Sequence, residues 1–229
     1  MARKPRRKPA AQPPARAAKS ERERVIEAFL ALLAEKPFER IGFAEIAQRA
    51  RVSLAELRGL FGSTLAILAA QVKETDRAVL AGADADMAEE PPRERLFDVL
   101  MRRLELLEPH KAAVRALQRS AARNPGLALA LNGIGVRSQQ WMLAAADIGS
   151  AGPRGMLRAQ GLALLFASVL HTWVDDDDPG HARTMAALDR ALARGQRWSG
   201  VLDEALRLSA CVGSRRRRRD RSGEQSAAA

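Results

Sequence analysis

Apolar residues recur along most of this chain at spacings of three and four positions, which is the period of one face of an α-helix. In the first such segment the apolar face includes Val25, Phe29 and Leu32. Ser20 and Glu23 have the S-x-x-E spacing of a capping box, which predicts a helix that begins there and ends before Pro37. Alternating runs of β-branched residues are missing, so the pattern predicts an all-α fold.

The next segment predicts two short helices joined by a tight link. The apolar residues at 43, 46 and 47 indicate a helix over 43–50. Ser53 and Glu56 form a second capping box, which predicts a third helix over 54–60. Two short helices buttressed by an amphipathic first helix are typical of a three-helix helix-turn-helix domain.

A change in composition predicts a domain boundary near residue 90. A fourth helix, capped by Ser63, is expected to run to about Ala85, and the polar stretch 84–92 then ends in two prolines. Further helices are predicted over 93–108, 111–123, 125–146, 154–174, 179–195 and 198–211, with Asp178 and Pro179 as N-cap and first turn of the helix over 179–195. We therefore expect a helix-turn-helix domain over 20–85 and a larger C-terminal helical bundle over 93–211.

The positive charge is concentrated at the two ends. Of a formal net charge of +11, residues 1–19 carry +7 and residues 214–229 carry +4, so the stretch between them is neutral. Segments 1–19 and 212–229 lack core-forming residues, and we expect two disordered basic arms that attract polyanions, such as double-stranded DNA, without sequence preference. The run Arg215–Arg219 would also fit a nuclear address, although the Ala- and Arg-rich composition is typical of GC-rich bacterial genomes.

Several classes of protein are disfavoured by what the sequence lacks. Cys211 is the only cysteine, so an internal disulfide is impossible, and we expect a reduced, cytoplasmic location. The most apolar stretch, 161–170, is about half of the roughly 20 residues that a membrane span needs. No apolar segment follows the basic N-terminus, so we expect no secretory signal.

We expect neither an enzyme nor a cofactor. No P-loop, G-x-S-x-G or H-E-x-x-H string occurs, and the histidines lie far apart. The run Asp175–Asp178, flanked by His171 and His181, is the one candidate metal site. Four consecutive side chains diverge in direction, so a solvated, helix-capping corner is the preferred interpretation, and we expect no metal.

The segment 43–63, FAEIAQRARVSLAELRGLFGS, resembles the signature of the TetR family of transcriptional regulators. The matching positions are Ile46, Ala47, Ala50, Val52, Ser53, Leu57, Phe61 and Ser63. The resemblance implies a DNA-binding regulator, by the habit of the family a ligand-responsive repressor, that acts as a homodimer on a palindromic operator. It also implies dimerisation through the helices over 154–174 and 179–195.

The chain departs from the family pattern where the family usually contacts DNA. Gly42 replaces a phosphate-contacting threonine, Arg51 a turn glycine and Arg58 a backbone-contacting tyrosine, while Leu60 replaces a common histidine and Thr64 a lysine. Arg51 must adopt a left-handed conformation, at a cost of about 1 kcal/mol, or else the turn is altered.

The DNA-reading hypothesis places the recognition helix in the major groove. Its candidate contacts are Arg49, Arg51, Ser53, Leu54, Ala55, Glu56, Arg58 and Thr64. Residues 20–62 hold seven basic and seven acidic side chains, so the domain itself offers no net attraction to DNA.

An alternative hypothesis is a helical module that has lost specific DNA readout and binds a lipid, another apolar molecule or a protein partner. The strings LHTWVDDDD (170–178) and TMAALDRAL (184–192) resemble the TetR-like lipid-binding family of ubiquinone biosynthesis. The residues involved by this resemblance would be Trp173, Asp176, Thr184, Leu188, Asp189 and Arg190. An arginine run follows Cys211 where that family has an amphipathic membrane-binding end.

A small apolar effector would bind between helices of the C-terminal bundle. The candidate lining residues are Trp141, Met142, Phe166, Leu170 and Trp173, for each of which a plain core position is the alternative. Two apolar faces are available for a dimer, one formed by Leu162, Leu165, Phe166, Val169 and Leu170 and the other by Met185, Leu188 and Leu192. One protomer could instead bury the first face internally.

Overall fold

The computed structural model describes residues 19–82, 87 and 89–196. Within these ranges the chain forms helices and turns without a β-strand, which confirms the predicted all-α class. The helices are α1 (Glu21–Glu35), α2 (Phe43–Ala50), α3 (Leu54–Leu60), α4 (Thr64–Ala81), α5 (Pro92–Leu107), α6 (Lys111–Arg123), α7 (Pro125–Ala145), α8 (Gly152–Trp173) and α9 (182–196). Short 3-10 turns cover Phe38–Arg40 and Glu108–His110.

Local sequence signals determine where most helices begin. The hydroxyl of Ser20 accepts the amide of Glu23, and the hydroxyl of Ser63 accepts that of Ala66 at 3.0 Å. Asn124 caps α7 in the same way. Each of these side chains satisfies an amide that has no partner inside its helix.

Two predicted helix limits are wrong. Helix α4 ends at Ala81, not near Ala85, and the amide of Gly82 closes its last turn. Helix α9 begins at residue 182, because Asp178 and Pro179 form a turn instead of a first helical turn. The amide of His181 donates to the carbonyl of Asp178 at 2.9 Å, and the Asp178 carboxylate then accepts the amide of Ala182.

The apolar side chains form two core clusters. The first cluster is formed by helices α1, α2, α3 and α4. It contains Val25, Phe29, Leu33, Ile46, Leu57 and Ile67, together with Ala113 of α6. The second joins α5, α7, α8 and α9 and contains Leu100, Leu104, Met142, Phe166, Trp173 and Leu188, together with Val79 of α4. Helices α4 and α6 therefore contact both halves of the protein, and α1 packs on α6 as well as on α2.

Three predicted segments lie outside the described residues. They are the basic arm apart from Lys19, the basic tail and the helix over 198–211. The proposed domain limits stay a prediction. Among the helices of 19–82 and 89–196, none is both long and apolar enough to cross a bilayer.

Candidate nucleic-acid interface and apolar cavity

The turn between α2 and α3 is a tight helix end centred on Arg51. Arg51 has φ 56° and ψ 50°, so it adopts the left-handed conformation. The amide of Val52 donates to the carbonyl of Ala47 at 3.0 Å, and that of Arg51 to Gln48 at 3.2 Å. This pair of hydrogen bonds is a Schellman helix end, so the turn is unaltered and Arg51 bears the conformational cost.

The N-terminus of α3 is closed by the predicted capping box. The amide of Ser53 donates to the Glu56 carboxylate at 2.6 Å, and the amide of Glu56 donates to Ser53 Oγ at 3.1 Å. The backbone hydrogen bond from Ser53 lowers the pKa of Glu56. Both side chains were candidate DNA contacts, and here they are engaged in holding the helix end.

Helix α3 turns one face outward. Leu57 is 2% exposed and anchors the helix in the first core cluster, whereas Leu54 is 56% exposed. Ala55 and Arg58 share the exposed side, and the Arg58 guanidinium lies 3.4 Å from the carbonyl of Gly62.

The other candidate contacts sit at the edges of this face. Thr64 is half-buried as the first residue of α4. Leu60 is half-buried against the core, whereas Gly42 is exposed at the N-terminus of α2. The structure thus presents Leu54, Ala55 and Arg58 together.

Arg49 is neutralised by a carboxylate on the neighbouring helix. Its guanidinium contacts both carboxylate oxygens of Glu35, at 2.5 and 3.0 Å. Hydrogen bonding to Arg49 lowers the pKa of Glu35 and raises that of Arg49. Lys36 is paired in a similar way with Glu45. A phosphate would have to compete with Glu35 for Arg49.

A cavity of about 460 Å³ lies between α1, α4, α5, α6, α7 and α8. Phe166 and Leu170, two of the five predicted ligand-pocket residues, line this cavity. The other three predicted residues are not among its lining residues. Trp141 is 59% exposed, whereas Met142 and Trp173 are fully buried in the second core cluster.

One wall of the cavity carries a buried polar group that sequence reasoning missed. Arg103 forms an ion pair with Asp76, and Ser138 Oγ donates to the same carboxylate oxygen at 2.8 Å. Gln139 and His110 also line the cavity, and burial lowers the pKa of His110. The sequence did contain a signal for this buried ion pair. Asp76 on α4 and Arg103 on α5 are charged side chains on the otherwise apolar faces of their helices.

The strings that resemble the lipid-binding family mainly build the corner between α8 and α9. Asp176 accepts the amide and the hydroxyl of Thr184, at 2.8 and 2.6 Å, and hydrogen bonding to Thr184 lowers the pKa of Asp176. Asp189 pairs with Arg93, and Leu188 is buried in the second core cluster. Within the described residues no group of three or more His, Cys, Asp or Glu side chains could hold a metal ion.

The faces proposed for a dimer are largely used inside one protomer. Leu162, Phe166, Val169, Leu188 and Leu192 are all buried in the second core cluster. A different groove, of about 530 Å³, remains open between α8 and α9. Its lining residues include Leu157, Gly161, Leu165, Ser168, Leu192 and Gly195.

Comparisons with known proteins identify the architecture. No protein-family model and no curated protein matches the chain. A TetR transcriptional regulator from Nitrosomonas europaea is similar over 78% of this chain and 99% of its own length, with 21% identity and a TM-score of 0.61. Two further structures each give a TM-score of 0.53. A TetR regulator from a Rhodococcus species is 23% identical and is similar over 76% of this chain and 95% of its own length. A TetR-family regulator from Streptomyces coelicolor is 18% identical and is similar over 81% of this chain and 84% of its own length. The resemblance seen in residues 43–63 therefore extends to most of the chain, which has the fold of TetR-type transcriptional regulators.

Proposed function

We propose that this protein is a DNA-binding transcriptional regulator that inserts α3 into the major groove. The observation that carries the proposal is the orientation of α3, which is anchored by Leu57 and presents Leu54, Ala55 and Arg58 to solvent. A bacterial regulator of this kind would act in the cytoplasm, where the chromosome lies, and repression is the first mode to test.

The exposed side chains suit base-edge and phosphate contacts. Leu54 and Ala55 can pack on thymine methyl groups, and Arg58 can donate to guanine or to a phosphate. Arg51 has no carboxylate partner among the described residues and lies next to α3, where it can bind a phosphate. Ser53 and Glu56 keep these groups in position through the capping box.

The proposal includes a homodimer built on the groove between α8 and α9. Leu157 lines this groove and is 49% exposed, while the open space beside Gly161 lets a second helix approach closely. Two-fold symmetry then calls for a palindromic operator with half-sites about one helical turn, or a multiple of it, apart. The mass of the full chain in solution at micromolar concentration should be twice that of one protomer, and a single-protomer mass contradicts the dimer.

The cavity suits an apolar effector that acts on the helix-turn-helix formed by α2 and α3. Leu30 and Leu33 of α1 and Leu68 of α4 line it together with residues of α6, α7 and α8. A molecule bound there contacts helices that carry the helix-turn-helix. It would shift the population of DNA-competent conformations by its difference in affinity between them.

A binding titration tests the DNA-reading proposal. We expect the full chain to bind the upstream region of its own gene about 10³-fold more tightly than random duplex, the usual lower range of specific readout. Arg58→Ala and Leu54→Ala should each reduce that ratio about tenfold, since one wrong base contact costs about 1–3 kcal/mol. Arg137→Ala is the matched control, because Arg137 is exposed on α7, away from α3.

Two outcomes would contradict the proposal. One is a specificity ratio below about tenfold for the unmodified chain on every tested upstream duplex. The other is loss of affinity for Arg58→Ala that is equal on cognate and random DNA and is matched by Arg137→Ala. That result would mean that both arginines act only through net charge.

A second candidate function is a ligand-binding module without specific DNA readout. It is favoured by the pairing of Arg49 with Glu35 and of Lys36 with Glu45, which leaves fewer free cations near α3. Native mass spectrometry of protein purified directly from cells separates the two functions. A bound lipid together with a specificity ratio near one supports the module, and an empty cavity with specific DNA binding excludes it.

A further inference from the structure

The groove between α8 and α9 has an apolar floor that is open within the described residues. On α8 its lining residues recur every three or four positions, so they share one face of the helix. They are Arg154, Leu157, Arg158, Gly161, Leu165 and Ser168. Leu143 in α7 and Ile148 just after α7 continue the floor, and Leu157 is 49% exposed. An open apolar surface of this kind is typical of a binding site.

The chain itself leads into this groove. Helix α9 starts beside the C-terminal end of α8, where the amide of Thr184 donates to Asp176. It then runs back along α8, because a Cβ atom at Gly195 would lie 3.5 Å from Cδ1 of Leu165. Gln196, the next residue, also lines the groove. From Leu165 the open face of α8 continues for about 16 Å to Arg154, in the direction in which α9 points.

The residues that follow have the sequence of a matching helix. Segment 198–211 lies outside the described residues, and its pattern predicts a helix. One face at helical spacing carries Trp198, Val201, Leu202, Ala205 and Leu208. A helix of this length spans about 21 Å, which is enough to cover the open face of α8.

The charges of the groove and of the segment are complementary. Every charged residue that lines the groove within the described ranges is an arginine, namely Arg93, Arg154, Arg158 or Arg194. Arg93 pairs with Glu94 and Asp189, whereas no carboxylate of the described residues forms an ion pair with Arg154 or Arg194. In a helix over 198–211, Asp203 and Glu204 flank the apolar face, one on each side. A helix that seats this face in the groove therefore brings carboxylates towards the arginines.

We propose that segment 198–211 folds as a helix and docks in the groove of its own chain, with its apolar face on Leu157 and with Asp203 and Glu204 paired to the groove arginines. One residue separates α9 from this segment, so its effective concentration at its own groove is about millimolar or higher. That proximity favours it over the same segment of a second copy. The inference goes beyond the proposed function, and in the proposed homodimer the docked helix forms part of the surface offered to the partner.

Hydrogen exchange of the full chain, read by mass spectrometry, tests the docking. We expect the amides of 201–211 to exchange at least about tenfold more slowly than in an unstructured chain. An undocked helix of this length is marginal in water and would give little protection. The protection should be unchanged by a dilution of about a hundredfold, because docking within one chain does not depend on protein concentration.

A substitution in the floor of the groove localises the effect. Leu157→Asp should return the segment to the unstructured exchange rate, because it places a charge where the apolar face would pack. Leu157 is half exposed, so α8 should keep its fold, which the exchange of α8 itself reports. Leu129→Asp is the matched control, at a 74% exposed position of α7 outside the groove, and should keep the protection.

A charge exchange tests the ion pairs and leaves the apolar faces unchanged. Asp203→Lys combined with Glu204→Lys should accelerate exchange of the segment about threefold, the usual size of exposed ion pairs. Adding Arg154→Glu to that chain should restore part of the protection. Adding Arg137→Glu, which changes the net charge equally at an exposed position of α7 outside the groove, should not.

The proposal is overturned if the segment of the unmodified chain exchanges at the unstructured rate, which leaves the groove to a second copy. It is also overturned if protection is lost on dilution, since the docked segment then comes from another chain. The mass in solution and the specificity for DNA are measured on the same preparations. If the segment is protected and the mass is that of one protomer, the dimer proposal fails alone. If DNA binding is specific and the segment is unprotected, this inference fails alone.

Discussion

At the scale of single residues, Arg51 shows how a tight turn between two helices forms around an unfavourable side chain. The left-handed conformation at φ 56° costs a non-glycine residue about 1 kcal/mol. The neighbours fix it, because Val52 and Arg51 both donate to the end of α2 and Ser53 immediately opens α3. The turn is therefore maintained by hydrogen bonds on both sides of Arg51.

Arg51→Gly should therefore stabilise the protein by about 1 kcal/mol in a urea unfolding titration. Gln48→Gly, at an exposed position inside α2, is the control and should destabilise it by about 1 kcal/mol, the usual cost of glycine in a helix interior. If both substitutions destabilise by the same amount, the conformation assigned to Arg51 is wrong.

His110 provides a pH-dependent prediction at the same scale. Burial lowers its pKa below the ordinary value near 6.5, and the nearby Glu27 only partly opposes this. The unfolded chain thus takes up a proton before the folded chain does, so stability falls as pH drops from about 7.5 through 6.5 and towards the lower folded pKa.

His110→Gln should flatten that part of the profile. The measurement is the free energy of unfolding between pH 7.5 and 5.5, where carboxylates with lowered pKa values stay ionised in the folded protein. A profile for His110→Gln that is as steep as that of the unmodified chain would show that another group is responsible.

Sequence reasoning succeeds at residues whose partners are close in the chain. The capping boxes of Ser20 and Ser53 depend on a spacing of three, which can be read directly. The pairs Arg49–Glu35 and Arg103–Asp76 join different helices and were not predicted, because their partners depend on how the helices pack.

At the scale of elements, the connection from α7 to α8 depends on a close backbone approach at Gly155. A Cβ atom at position 155 would overlap the backbone carbonyl group of Ser150. The same Cβ atom would lie 2.8 Å from the Cα atom of Ser150. Backbone cannot move aside as a flexible side chain does. This position therefore requires glycine although it lies inside a helix.

Gly155→Ala should destabilise the protein by about 2 kcal/mol, a typical overpacking cost. Gly133→Ala, in α7, is the control, because a Cβ there meets nothing within 4 Å. It should stabilise by up to about 1 kcal/mol through helix propensity. Equal effects of the two substitutions in thermal unfolding would contradict the packing described for α8.

Under the proposed function, the ion pair between Glu35 of α1 and Arg49 of α2 limits the positive charge available to DNA beside α3. Glu35→Gln should free Arg49 and strengthen binding to any duplex, with the slope of log affinity against log salt increasing by about one. Glu105→Gln, on the exposed side of α5, removes the same charge at a distance from α3 and should leave that slope unchanged. The pair has no role at the interface if both variants change the slope equally.

Helix limits were predictable where a cap or a proline marks them, and less so where several turn residues follow one another. Asp178-Pro179 has the sequence of a helix start. His181, however, adopts a left-handed conformation, and α9 begins three residues later than predicted, at residue 182. The sequence pattern cannot show this, because Pro179 and Gly180 permit either a turn or a first helical turn.

At the scale of the whole molecule, the two core clusters meet around one cavity. Periodicity identified apolar faces but could not distinguish lining from core: of the predicted pocket residues, Phe166 and Leu170 line the cavity, whereas Met142 and Trp173 are buried in the second core cluster. A cavity is the space that several helices leave between them, which no single helix pattern specifies. The position of α3, in contrast, follows from local caps and the burial of Leu57.

The central claim is that α3 enters the groove of a duplex, and cross-linking tests it most directly. A photo-reactive amino acid at position 55, exposed on α3, is compared with the same group at position 137 on α7. We predict cross-links from position 55 to bases of an operator half-site and none from position 137. A protein that binds the duplex yet forms no base cross-link from position 55 would contradict the account.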